Sequence, residues 1–293
     1  MVEARSERLT RVPAEALFVA GAISQYVGAA LAVLLFEAVP AAGVAWLRVV
    51  SAAAALAVWR KPWRTRLTGP DLALVVAFGS ALALMNLAFY LAIDRMPLGT
   101  AVAIEFIGPI SVAAAGSRTR NDWLALVLAA GGVVLLADTQ TGGSMAGVGL
   151  VLIAAALWAG YIVLGARIAD RGLGVNGLAV AMVAGAVVIA PVGVPASIDA
   201  FQQLDLLAAC VAVGLCSSVI PYALDQVALR RLDRARFALL LSLLPVTAAI
   251  TGALVLGQVP GAAELVGIGL VASAVALARG RAPGPPDELE SGG

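Results

Sequence analysis

Two residues of opposite charge, Arg48 and Glu105, stand near the middle of long apolar stretches of the sequence. A charge at the centre of a helix in hydrocarbon costs roughly 2.5–3.5 kcal/mol on insertion scales, so a residue that bears this cost usually faces a cavity or a partner. Arg48 and Glu105 could pair with each other as part of the structure. They could instead bind the carboxylate and the ammonium group of a zwitterion separately.

Four further side chains add polar character to the same kind of stretch. Asn86 and Tyr90 are four residues apart and therefore share a helix face. Trp158 and Tyr161 share a face by the same spacing logic. Each could simply hydrogen-bond between helices, a contribution of about 0.6 kcal/mol. Together with the two charges they form a small polar set in an apolar bundle, and we predict that this set binds a small solute.

The composition explains why so few polar residues stand out. Of 293 residues, 61% are hydrophobic and 13% are charged, whereas a soluble domain has about 45–50% apolar and about 25% charged residues. So little charge cannot cover the surface of a water-soluble globule, and we expect the chain in a lipid bilayer. A net charge of +1 argues against nucleic acid as a partner. Because the sequence has no histidine and no acidic cluster, we expect no enzyme activity, metal site or cofactor.

Apolar runs of about 17–25 residues between polar breaks predict an all-α integral membrane protein with ten transmembrane helices. The predicted spans are residues 14–36, 40–59, 71–92, 97–115, 123–138, 146–166, 174–195, 204–228, 236–257 and 261–279. Residues 1–13 form a short segment before them. The tail 280–293 is rich in glycine, proline and acid, which predicts a disordered end.

The basic residues predict the orientation of these spans, because lysine and arginine concentrate in cytoplasmic loops. With both termini in the cytoplasm, 17 of the 19 basic residues fall on that side. They are Arg5, Arg8, Arg11, Arg60, Lys61, Arg64, Arg66, Arg118, Arg120, Arg167, Arg171, Arg230, Arg231, Arg234, Arg236, Arg279 and Arg281. Nine or eleven spans would scramble this asymmetry.

A shift of 136 residues aligns the third and fourth spans with the eighth and ninth. Under this shift Asn86–Ile110 overlies Tyr222–Val246, and Pro109 meets Pro245. Five helices in each half is an odd number, so the second half enters the membrane inverted, as is typical of secondary transporters that work by alternating access. Chance alignment of two alanine- and leucine-rich spans is the alternative. The predicted repeats are residues 14–138 and 146–279.

Glycine and proline predict broken or bent helices in both halves. An interior proline removes a backbone donor and opens the turn before it. The predicted hinges are Gly108 and Pro109 in the fourth span, Pro221 in the eighth and Pro245 in the ninth. For any one of these prolines, a packing kink is an equal alternative.

If transport is coupled to protons, the absence of histidine leaves carboxyl groups to carry them. Desolvation favours the neutral form of a carboxyl group, so Glu105 is the first candidate to exchange protons. Asp225 is the second candidate. It lies about one turn before Arg230 and Arg231, close enough to the membrane interface to be simply solvated.

Several short motifs carry a resemblance to a known family. They are Leu47-Arg48, Lys61-Pro62-Trp63-Arg64, Met85-Asn86, Phe89-Tyr90-Leu91, Pro97-Leu98-Gly99, Ala101-Val102-Ala103-Ile104-Glu105-Phe106 with Gly108-Pro109, Trp158-Ala159 with Tyr161, and Pro221-Tyr222. On these motifs the chain resembles the ten-helix drug/metabolite transporter superfamily, the EamA group, and within it the bacterial threonine/homoserine exporters. The likeness runs from the first span to the tenth.

The resemblance implies a carrier of the bacterial inner membrane that exports small neutral amino acids, such as threonine and homoserine, against an inward flow of protons. It also implies two inverted five-helix repeats around a central cavity, and it leaves a homodimer open. Arg48, Glu105 and Asp225 stand where the exporters also have arginine, glutamate and an acidic residue.

Two positions depart from the family pattern. Leu244 stands before Pro245, and Gln258 follows Gly257, where the exporters have glutamate. The same scaffold carrying another metabolite or a lipophilic toxic compound is therefore the alternative. The apolar ninth span favours this alternative slightly, and the motifs of the second to fourth spans favour the amino acid. A purely structural subunit is disfavoured, because scaffolding does not require charges at the midplane.

Overall fold

The computed structural model describes residues 13–60, 67–117, 119–139, 145–221, 224 and 240–278, and in this part of the chain it is helical throughout, with no strand. The first half contains α1 (Ala14–Leu35), α2 (Ala41–Arg60), α3 (Gly69–Ile93), α4 (Leu98–Glu105), α5 (Ile107–Ser117) and α6 (Arg120–Asp138). The second half contains α7 (Met145–Asp170), α8 (Gly174–Gly193), α9 (Ile198–Gln202), α10 (Leu204–Gly214), α11 (Leu244–Leu256) and α12 (Ala262–Leu277).

Six helical segments of the described chain are long and apolar enough to cross a membrane. They are Ala14–Leu35, Ala41–Val58, Gly69–Ile93, Leu98–Gly116, Arg120–Asp138 and Met145–Ile168. A seventh span would be the bent pair Gly177–Gly193 and Pro195–Gln202. The apolar helices Leu204–Val219, Leu244–Leu256 and Ala262–Leu277 are shorter, at 10–17 residues. Helix therefore occurs at each of the ten predicted positions, although parts of the eighth and ninth spans lie outside the described residues.

The seventh predicted span, 174–195, corresponds to α8 (Gly174–Gly193), and the chain bends sharply where that helix ends. The helix axis turns by 78° between Gly177–Gly193 and Pro195–Gln202. The bend falls where Pro195 begins a short 3-10 helix, Pro195–Ser197, because proline has no N–H to continue the preceding helical ladder. The apolar run alone gave no sign of this turn.

Local side-chain chemistry determines where two of the long helices begin. Thr68 and Asp71 form a capping box at the start of α3, in which the Asp71 N–H donates to Thr68 Oγ1 and Asp71 Oδ2 accepts from the Thr68 N–H. Thr119 and Asp122 do the same for α6. Each box satisfies N–H groups that the first helical turn would leave without partners.

Small residues let the helices of the bundle approach one another closely. Gly79 of α3 faces the backbone of Ala181 in α8, and a Cβ at this glycine would overlap the Ala181 carbonyl. Gly99 of α4 meets Ala249 of α11 in the same way. Backbone contact of this kind is how helices associate where lipid removes the hydrophobic driving force. Both contacts join the first half of the chain to the second.

Candidate solute-binding cavity

A cavity of about 190 Å³ lies between helices of both halves. Its lining residues are Phe18, Ala22, Gln25, Tyr26, Ala29, Arg48, Leu82, Met85, Asn86, Phe89, Glu105, Trp158, Tyr161, Ser217, Leu241 and Leu244. At roughly 30 Å³ per water molecule, this volume corresponds to about six waters. Pockets for drug-sized ligands span roughly 300–1,000 Å³, so the cavity suits a small metabolite.

Five of the six predicted solute-binding residues line this cavity: Arg48, Asn86, Glu105, Trp158 and Tyr161. The sixth, Tyr90, does not. Its side chain is completely buried, and its ring centroid lies 5.1 Å from Cζ of Arg48. Tyr90 therefore supports the guanidinium from behind through a cation–π contact.

Arg48 is held in place by the second half of the chain. Its Nε donates to Ser218 Oγ and its Nη2 donates to the Ser217 carbonyl, both at 3.0 Å. The residue is only 7% exposed. A guanidinium has five N–H donors, so these two bonds leave its Nη1 side free to act as a fork for a carboxylate.

Glu105 is the other charged group that the described residues place in the cavity wall. It is 8% exposed, and within the described residues it makes no hydrogen bond or ion pair, not even with Arg48. The pairing left open by the sequence therefore does not occur. Arg48 and Glu105 present two separate charges of opposite sign to one small space.

The helix that carries Glu105 is broken directly after it. Helix α4 ends at Glu105, Phe106 forms a turn, and α5 begins at Ile107. The cause lies at Pro109, which has no N–H to donate to the Glu105 carbonyl four residues earlier. Gly108 packs against the Ala155 carbonyl of α7, which holds α5 close to that helix. The break is a one-residue turn within the span Leu98–Gly116, and Glu105 beside it lines the cavity.

A π-helical segment, Leu215–Val219, continues α10 toward the cavity. In it the Ile220 N–H donates to the Leu215 carbonyl, five residues earlier. Pro221 follows and cannot donate to the carbonyl four residues before it, that of Ser217. This is the carbonyl that accepts from Arg48. π-Bulges of this type often occur at functional sites.

A second break corresponds to the one at Phe106. The chain is helical at Leu240 and Leu241, turns at Ser242 and Leu243, and resumes as α11, with Pro245 in its first turn. Pro245 cannot donate to the Leu241 carbonyl four residues earlier. Leu241 lines the cavity, as Glu105 does at the first break.

The aromatic residues of the cavity wall pack against neighbouring rings. Trp158 meets Phe106 edge-on with ring centroids 5.0 Å apart, and Tyr161 stacks on Phe78 at 4.7 Å. Asn86 donates through Nδ2 to the Leu82 carbonyl at 2.8 Å, which orients its carboxamide. These contacts fix the side chains that surround a solute.

Sequence reasoning missed Ser217 and Ser218. The available signal was a serine pair three and four residues before Pro221 inside an apolar run. The predicted proton-coupling residue Asp225 lies outside the described residues.

A second cavity, of about 110 Å³, lies where α4, α11 and α12 meet, and its polar groups bind one another. The Leu98 N–H donates to Gln258 Oε1 at 3.0 Å, and Thr100 Oγ1 donates to Glu264 Oε1 at 3.2 Å. Gln258 thereby caps the first turn of α4, where Pro97 offers no side-chain cap. We call these two contacts the polar seal.

Apolar helices of membrane-spanning length and a small cavity with two separated charges define a helical membrane protein that handles a small solute. The sequence profile of the EamA-like transporter family matches residues 145–280. A threonine/homoserine exporter RhtA of Salmonella typhimurium (strain SL1344) is 37% identical over 234 residues, 79% of each chain. RhtA of Escherichia coli (strain K12) is 35% identical over 250 residues, 84% of each chain. The chain belongs to the EamA-like transporter family, which confirms the resemblance.

The fold is shared more widely than the sequence. A protein crystal structure aligns with a TM-score of 0.61 over 90% of this chain and 96% of the other, at 20% identity. The relatives are named as exporters, in line with the prediction that the chain is not an enzyme. The candidate spans and the family together make the chain a multi-pass membrane transporter.

Proposed function

We propose that this transporter exports small neutral amino acids of the threonine and homoserine type by alternating access, as an antiporter of protons. One observation carries the proposal: the cavity presents a buried arginine and a buried glutamate that do not pair with each other. A zwitterionic amino acid supplies the two charges that such a site lacks. The names of the relatives support the same cargo.

Arg48 is the group proposed to bind the substrate carboxylate. Its Nε and one Nη2 proton are engaged by the π-helical segment, and Tyr90 lies against its face. The remaining donors form a planar fork, the geometry that suits bidentate binding of a carboxylate. The substrate thus replaces water on a charge whose position is already fixed, so little ordering of Arg48 is needed on binding.

Glu105 is the group proposed to bind the substrate ammonium group. Its carboxyl group makes no hydrogen bond or salt bridge within the described residues, and a buried charge without such contacts is costly. An ammonium group or a proton can each neutralise it. Because the two compete for one carboxyl group, binding of one favours release of the other, which is the requirement for antiport. Asp225 remains the second proposed proton carrier.

The helix breaks support the proposed architecture of two inverted five-helix repeats, residues 14–138 and 146–279. The turn at Phe106 and the turn that begins at Ser242 are 136 residues apart, the same shift that aligns Pro109 with Pro245. The family profile also covers the second proposed repeat as a unit. In this arrangement both termini and the tail 280–293 lie in the cytoplasm, and the chain resides in the bacterial inner membrane. Gly108, Pro109, Pro221 and Pro245 are the proposed hinges.

The test is counterflow of labelled threonine in proteoliposomes, with and without a pH gradient, comparing wild type with Glu105→Gln. We expect the gradient to drive wild-type uptake and the variant to lose at least about thirtyfold, because losing a buried charge partner costs roughly 2 kcal/mol or more. Glu37→Gln makes the same chemical change at an exposed turn and should retain full flux.

Each outcome of this experiment separates part of the proposal from the rest. Threonine flux that does not respond to the pH gradient would support the amino-acid cargo and contradict proton antiport. Absence of threonine flux in correctly inserted wild-type protein would contradict the cargo. The second candidate cargo, another metabolite or a lipophilic compound, rests on the apolar side of the cavity, where Leu241 and Leu244 stand.

A further inference from the structure

We propose that the π-helical segment Leu215–Val219, together with Pro221, is a positioning device that fixes Arg48 for the substrate carboxylate, with Ser218 as its key side chain. The inference rests on the proposed function and adds residues of the second half to it. The device consists of one hydroxyl group and one backbone carbonyl aimed at the same guanidinium.

The first argument is the geometry at Arg48. Ser218 Oγ accepts from Nε and the Ser217 carbonyl accepts from Nη2, each at 3.0 Å. These two donors form one edge of the guanidinium, so both bonds together fix its plane and its direction. Ser218 is 4% exposed, so water does not compete freely for these positions. The opposite edge stays available to a ligand.

The second argument is the backbone register that provides the free carbonyls. The Ile220 N–H is used by Leu215, as the π register requires. Residue 221 would be the next donor, to Ser217 in an α register or to Cys216 in a π register, but proline has no N–H. Both carbonyls are therefore left to accept side chains. The carbonyl of Cys216 accepts from Ser24 Oγ of α1 at 2.8 Å, and that of Ser217 accepts from Arg48.

The third argument is the packing that keeps the segment in place. Gly28 of α1 lies directly against Ser217, and a Cβ at this glycine would overlap Ser217 Oγ. Helices α1 and α2 thus both attach to the same short segment, one through Ser24 and Gly28 and the other through Arg48. A change in the register of this segment would move the substrate-binding charge.

The test compares Ser218→Ala with Ser218→Thr, which keeps the hydroxyl acceptor. The first measurement is hydrogen exchange of the Arg48 Nε–H by NMR of ¹⁵N-arginine-labelled protein, assigned with Arg48→Lys. We expect exchange about tenfold faster in Ser218→Ala, the change expected for loss of one hydrogen bond to a charged group. Ser218→Thr should exchange as wild type. Equal exchange in Ser218→Ala and wild type would overturn the inference whatever the cargo is.

The second measurement tests whether Ser218 matters specifically for binding of the substrate carboxylate. Threonine and threonine amide, which lacks the carboxylate, compete against labelled threonine in counterflow. Ser218→Ala should raise the half-saturation concentration of threonine about tenfold and leave that of the amide unchanged, with the maximal rate retained. An equal rise for both compounds, or a fall in rate alone, would show a merely structural role. Absence of wild-type flux would contradict the proposed function instead, and the exchange measurement would then decide the inference.

A proline variant tests the register argument. Pro221→Ala restores an N–H that can donate to the Ser217 carbonyl, so it should shift threonine binding in the same direction as Ser218→Ala. Pro70→Ala is the matched control, because that exposed proline stands in the first turn of α3, where an N–H is not needed. Equal binding in Pro221→Ala and Pro70→Ala would overturn the role of Pro221.

Discussion

The two helix breaks at the cavity share a backbone device and differ in the side chain that they present. At the first break a proline leaves the carbonyl of Glu105 without its helical donor, and at the second a proline does the same to Leu241. Both side chains line the cavity. The backbone opens the helix in each half, but only the first half adds a charge there. The cavity wall therefore has a charged side chain at the first break and an apolar side chain at the second.

The largest loss of transport is expected when the prolines at the two helix breaks are replaced. Pro109→Ala returns a donor to the Glu105 carbonyl inside a long span, where a proline disfavours straight helix by about 3 kcal/mol. We expect threonine counterflow to fall on the order of a hundredfold. Pro245→Ala also returns a donor, to the Leu241 carbonyl, and should lower flux less than Pro109→Ala does, because that break presents an apolar side chain and not a charge. Equal losses in the two variants would mean that both breaks work alike.

The next effect concerns the packing that holds the first break. Gly108→Ala places a methyl group on the Ala155 carbonyl of α7, and overpacking of this kind costs about 1–3 kcal/mol. We expect a lower apparent Tm in detergent, measured by thermal unfolding. Gly116→Ala in the same helix meets open space and should not lower the Tm. A Gly108→Ala protein as stable as Gly116→Ala would show that α5 can move away from α7.

The smallest effect on transport is expected at Leu241, the apolar side chain that lines the cavity at the second break. Leu241→Ala enlarges the cavity on its apolar side and leaves Arg48 and Glu105 untouched. Threonine flux should change less than about fivefold, since one shortened apolar contact is worth roughly 1 kcal/mol or less. Competition by leucine against labelled threonine should strengthen. Loss of threonine flux in this variant would mean that Leu241 contacts the cargo directly.

The sequence predicted the parts of this site that hydrophobicity and proline chemistry encode. Arg48 and Glu105 stand out because charge is costly in an apolar run, and Pro109 marks the break that follows Glu105. The role of Tyr90 behind Arg48 was not predictable, because helical spacing gives a shared face and not the depth of a ring in it. Ser217 and Ser218 were missed because a π register has no 3.6-residue signature. Their role depends on contacts with α1 and α2, which only the tertiary structure contains.

The polar seal has a consequence for the balance between conformations. In an alternating-access cycle, parting α4 from α11 and α12 breaks the contacts of Leu98 with Gln258 and of Thr100 with Glu264. Away from the seal, at the N-terminal end of α3, Asp71 forms an exposed ion pair of 2.8 Å with Arg171, which directly follows α7. Two part-buried hydrogen bonds outweigh one solvent-exposed ion pair, worth about 0.2–1 kcal/mol and weakened by salt. In the proposed alternating-access cycle, the resting equilibrium is therefore expected to favour closure at the seal, and raising the ionic strength should deepen that bias.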